Sequence, residues 1–287
     1  MKRIHLLLGL SIIVIFTAYI YAAKNTKVQE SIIFFPIDPK VTYKSANTSL
    51  KLMNQKTLRW KITSILDRTA YLRQDAGLLY SNGRLMDELS GWKPSTKRIE
   101  QEKQIVDNQN ALFEAITFHY SELHEKGGQI FSSQTMSADQ LYVIHSASNI
   151  QYTFRTASTQ EQQVWKQKLD EQTERMLQYS WNKGVRHYSI HLNEYQAFPL
   201  NFIPNRAKRG FPGFTKEETD KIIGNLWEGL YKNYLLGIKK ADGPIVSPIG
   251  STIPLILLAK NKTHLLVLTE TRNGDPILLR QWIGGSD

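Results

Sequence analysis

An uncharged apolar run of 18 residues, Leu6 to Ala23, constrains this chain more than any other feature; only Gly9, Ser11, Thr17 and two tyrosines interrupt it. As a helix it would extend about 27 Å, enough to cross a hydrocarbon layer with little tilt. The sequence therefore predicts a short basic N-terminus over 1–5 and a transmembrane signal-anchor over 6–23. A cleaved secretory signal begins alike, but its apolar region is usually shorter and ends at a small-x-small site. The best cut here follows Ala22 and leaves bulky Ile20 at the third position, so a secreted basic protein is the alternative. Lys2 and Arg3 precede the run while Lys24, Lys27 and Lys40 follow it, so the positive-inside count does not decide the orientation. The short basic start favours an extracytoplasmic C-terminal domain.

Chemistry is bounded next. The 287 residues include no cysteine, which removes disulfides, thiolate metal sites and cysteine nucleophiles. Net charge is +10, but Lys2 and Arg3 belong to the first segment. Of the remaining excess, residues 24–96 hold 12 basic against 6 acidic side chains, residues 97–195 hold 10 against 12, and residues 196–287 hold 12 against 8. A positive stretch beside a bilayer suits anionic lipid or an anionic cell-wall polymer. No basic run with interleaved aromatics points to nucleic acid.

Patterning predicts an α+β fold. A linker over 24–47, ended by Pro36 and Pro39, leads into an α+β region over 48–195. There Leu58, Ile62, Ile65, Leu66 and Leu72 fit a helix over 49–74. Ile105, Leu112, Phe113, Ile116, Tyr120 and Leu123 fit a second helix over 97–126, closed by Gly127-Gly128. Short strands follow at 129–132, 141–145 and 152–156. Thr159 with Gln162 forms a capping box for a third helix, whose face carries Trp165, Leu169, Met176, Leu177 and Trp181; residues 185–198 then alternate as a strand. Pro199, Pro204, Pro212 and Gly210, with Arg206, Lys208 and Arg209, mark 196–214 as a basic linker. Thr215 and Glu218 cap a fourth helix, and 215–287 ends in an antiparallel meander at 253–259, 264–269 and 277–282. Helix followed by three strands thus occurs twice in this reading.

Sites are sparse. His119, Glu122 and His124 lie close in sequence, yet on a helix His124 would point roughly 140° away from His119, so they read as a solvated helix end. His187, His191 and Glu194 would make a metal pair on a helix, but on a strand the two histidines stand about 13 Å apart. Ser247 and Ser251 are turn hydroxyls without an evident base, and Glu217-Glu218 suits a helix start. Phosphate loops, dinucleotide fingerprints, nucleophile elbows and zinc-peptidase helices are missing. Trp165, Trp181, Trp227, Tyr231 and Tyr234 read as packing faces. No catalytic, cofactor or metal residue is nominated. The sequence reading is a single-pass, membrane-anchored extracytoplasmic protein that binds or regulates, with a membrane protein or an anionic envelope polymer as partner. An envelope hydrolase built from histidine and carboxylates is the other reading, and it needs His187 or His191 to meet acids in a pocket.

Overall fold

Two long antiparallel strands dominate the molecule, and both run through stretches whose periodicity predicts helix. The computed structural model describes residues 35–38, 40–53, 56–106, 109–145, 151–234, 237–239 and 245–283. β1 (Tyr43–Leu52) pairs with the first half of β2 (Thr57–Ser81). β2 turns at Asn82 and Gly83 into β3 (Arg84–Val106). Both turn residues have positive φ, 48° and 79°, the conformation that an Asn-Gly pair adopts readily in a two-residue hairpin. β4 (Ala111–His124) pairs with the second half of β2, and β5 (Ile130–His145) and β6 (Gln151–Phe154) follow it.

β2 serves two sets of partners because it bends. Three shifts in its register with β3 fall between Ile65 and Gly77 and one more between Leu79 and Tyr80, and such bulges kink and twist a strand. A Cβ added at Gly77 would stand 2.4 Å from Ile62 Cδ1 and 3.1 Å from Trp60 Cζ2, so the bend is packed against its own first half. β1 is thereby carried across to β5. Thr48 Oγ1 donates to Thr117 Oγ1 on β4 at 2.6 Å and lies 2.7 Å from Ser137 Oγ on β5, while Leu50 N donates to Asp139 Oδ2 at 2.8 Å. β1, β2, β4 and β5 together enclose an apolar interior of Leu50, Trp60, Ile62, Phe113 and Leu141.

The other face of β4 looks into a larger core. Ile116, Phe118 and Tyr120 share it with helices α1 (Gln160–His187) and α3 (Lys216–Tyr234). Trp227 of α3 stacks on Phe118 at 5.3 Å. A second antiparallel sheet begins with β7 (Tyr195–Pro199); between α1 and α3 the chain also forms two 3₁₀ turns, Leu192–Glu194 and Leu200–Phe202, and α2 (Ile203–Arg209). After the short ribbon β8 (Ile238–Lys239) and β9 (Ile245–Val246) come β10 (Leu255–Ala259), β11 (His264–Glu270) and β12 (Pro276–Trp282), in the order β12-β11-β10-β7. α1 reaches β11 so closely that a Cβ at Gly184 would meet Leu268 Cδ1 at 2.6 Å.

The α+β class is therefore corrected to a mainly antiparallel β fold, with 52% of the described residues in strand and 26% in helix. The helices predicted over 49–74 and 97–126 are β1 to β4, and the twice-repeated helix-then-meander unit disappears with them. The alternating 185–198 stretch is the end of α1, a 3₁₀ turn and only then β7. The 196–214 stretch contains α2, with Pro204 in its first turn, where the missing N–H has no helical partner to lose. α1, α3 and the closing meander stand where the sequence puts them. Among the described residues no helix is long and apolar enough to cross a membrane. Leu6 to Ala23 lies outside those residues, so the single-pass architecture gives way to a β-rich body in which no membrane span is described.

Candidate functional site

The histidines singled out by sequence do not converge. His119 and Glu122 lie on opposite faces of β4 rather than on one helix face, because the period there is two. His119 is 0% exposed in the enclosed interior, with Nδ1 2.6 Å from Ser64 Oγ and Nε2 2.7 Å from Ser137 Oγ. Glu122 accepts from Arg73 Nη1 at 2.9 Å and has exposed His124 Nε2 3.3 Å from its other oxygen. His187 ends α1 with its ring edge-on to Tyr188, and His191 precedes the 3₁₀ turn Leu192–Glu194. Ser247 accepts from Ile249 N, and buried Ser251 accepts from Leu85 N through its carbonyl. Trp181, Trp227 and Tyr234 pack in the large core, and Trp165 packs beside Leu169 and Phe154. Among the described residues no group of three or more histidine or carboxylate side chains is placed to hold a metal.

A different set of residues forms a cleft of about 910 Å³. One wall is β4 and β5, through Leu112, Glu114, Gln140 and Tyr142. A second is α1, through Lys166, Asp170, Thr173, Glu174, Leu177 and Trp181; the third is the β7 to α2 stretch, through Phe198, Asn201, Phe202, Arg206 and Arg209. The strand alternation that sends His119 inward sends Glu114 outward into this cleft. Asn201, in the 3₁₀ turn, donates from Nδ2 to Glu114 Oε1 at 2.7 Å. Tyr142 OH donates to Asp170 Oδ1 at 2.7 Å, and Lys166 Nζ donates to Asp170 Oδ2.

Burial sets the electrostatics. Glu114 is 9% exposed, and loss of water pushes its carboxyl above the ordinary 4.5, a shift that the charge of Asp170 reinforces and the Asn201 bond only partly offsets. A carboxyl held toward its neutral form can donate a hydrogen bond as well as accept one. Tyr142 is pushed up to about 12, first by burial and then by the Asp170 carboxylate. At the mouth, the Arg206 guanidinium stands 5.0 Å over the Phe198 ring. Among the described residues neither Arg206 nor Arg209 has a carboxylate within ion-pair reach, and Phe202 beside them is 56% exposed.

The cleft thus combines a buried acid held toward its neutral form and amides at its floor with ring faces and two guanidiniums that have no ion-pair partner among the described residues at its mouth. Sequence reasoning noted Arg206 and Arg209 as linker charge and passed over Glu114, Thr173 and Asn201. The one available signal was Glu114 itself, a lone acid inside the apolar stretch Ala111–Phe118. The chain matches no family model, no curated protein and no solved structure.

Proposed function

We propose that this chain is an exported binding protein, and that its cleft takes an anionic polymer of the cell envelope. The observation that carries this reading is the pair of guanidiniums, Arg206 and Arg209, standing without ion-pair partners among the described residues at the mouth of a cleft about 910 Å³ in volume. Arginine is suited to the task because its planar fork meets phosphate or carboxylate with two parallel bonds. The export half rests on Lys2, Arg3 and the apolar run, with a cut after Ala22, and on the missing cysteines. A histidine-based hydrolase draws no support from the geometry, since His187 and His191 do not line the cleft.

Calorimetric titration of the purified chain with a short polyphosphate tests the binding half. Charge reversal of both arginines, Arg206→Glu with Arg209→Glu, is expected to weaken binding at least about tenfold and to flatten its salt dependence. Reversal of exposed Lys93 and Lys97 on β3, which lie away from the cleft lining, is expected to change little. Equal losses from the two pairs would replace a site with general basic character. Mass spectrometry of the mature N-terminus tests the export half; Met1 intact in protein from the native host would contradict it.

A further inference from the structure

The two arginines at the mouth of the cleft are not equivalent. Arg209 is exposed, whereas Arg206 is half-buried and its guanidinium carbon stands 5.0 Å over the ring of Phe198. Neither guanidinium has an ion-pair or hydrogen-bond partner among the described residues. The helix that carries them, α2, is fixed on both sides. Before it, buried Leu200 donates from its N to Pro254 O at 2.9 Å; after it, buried Phe211 donates from its N to Thr219 Oγ1 at 3.1 Å. Phe198 is fixed in turn. It lies in β7 opposite Ile256 of β10, and its ring leans on that of Phe211 at 5.4 Å, so it ties the strand before α2 to the loop after it. A ring face attracts a guanidinium but accepts none of its strong hydrogen bonds. Phe198 therefore restricts where Arg206 stands and leaves its N–H groups unspent. Rotamer freedom lost before binding is not lost again during it, and a half-buried charge meets its partner with less screening than an exposed one.

We infer that Phe198 is a positioning residue for Arg206, and that Arg206 holds a bound polyanion while exposed Arg209 draws it in. This rests on the cleft being an anion site, and it divides the work between the two cations there. Phe198 touches no ligand in this account; it acts only through the guanidinium that it backs.

Binding of a short polyphosphate to the full chain is followed by calorimetry and by stopped-flow fluorescence. Arg206→Gln is expected to weaken binding about tenfold, through faster release, and Arg209→Gln about threefold, through slower association that added salt masks. Phe198→Leu keeps an apolar side chain and removes the ring face; it is expected to weaken binding about threefold to fivefold. Phe198→Tyr keeps the face and is expected to bind as the wild type does. In an Arg206→Gln background, Phe198→Leu is expected to cost nothing further. A loss of the same size in both backgrounds, or none in the wild-type background, means that the ring only packs, and overturns the positioning role. Release that quickens as much in Arg209→Gln as in Arg206→Gln overturns the division of work. In either case the cleft stands, because binding still depends on the arginines. If neither arginine variant weakens binding, the inference and the cleft reading fall together.

Discussion

Glu114 and His119 stand on opposite faces of β4, and loss of water drives both toward their neutral forms. Their effects on stability have opposite signs. Glu114 holds its proton more firmly folded than unfolded, so its contribution weakens as pH rises above 4.5. Glu114→Gln keeps an acceptor for Asn201 and removes the ionisable group. It is expected to raise the melting temperature at pH 7 to 8, with the gain fading below pH 4.5; an unchanged melting temperature at pH 8 would contradict the burial argument. His119 is lowered from 6.5 to about 3 by burial alone. Between those values the unfolded chain carries the extra proton, so His119 reduces stability by about 1.4 kcal/mol for each pH unit of acidification. Its imidazole resonances are expected to show no inflection from pH 8 down to pH 4. A midpoint near 6.5 would mean that the interior admits water.

At the scale of elements, what was legible follows from how locally each signal is written. The capping box of α3 is contained in four residues, and the structure makes both of its bonds, Glu218 N to Thr215 Oγ1 at 3.1 Å and Thr215 N to Glu218 Oε2 at 2.7 Å. Thr215→Ala is expected to cost about 1 kcal/mol in urea denaturation. In α1 the matching N-cap bond, Gln162 N to Thr159 Oγ1, is equally local. β2 and β4 were illegible for two different reasons. In β4 the residues from Ala111 to Glu122 are buried on both faces, so the alternation that betrays a strand is lost and chance spacing imitates a helix. In β2 the alternation of Leu58, Trp60, Ile62 and Leu66 is present, but Ser64 interrupts it and the bulges beyond Ile65 change its phase. The bend itself depends on Gly77. Gly77→Ala puts a methyl group into Ile62 and is expected to cost about 1–3 kcal/mol, read as a lower urea midpoint at unchanged slope. Wild-type stability in that variant would mean that the two halves of β2 do not pack face to face.

Across the whole molecule the cleft draws on parts far apart in sequence: β4 and β5, the helix α1, and the stretch from β7 to α2. Lone residues such as Glu114 and Asn201 acquire a role only when their elements meet, which is why the basic stretch around Arg206 was visible in the sequence and its purpose was not. The net charge of +10 gives any polyanion many weak places to land, so a site has to be distinguished from a surface. Hydrogen exchange of the full chain with and without a short polyphosphate makes that distinction directly. Protection is expected at residues 112–114, 140–142, 170–178 and 197–209 together. Protection spread over the β2 and β3 hairpin instead, or none at saturating ligand, would contradict a cleft that binds an anionic polymer.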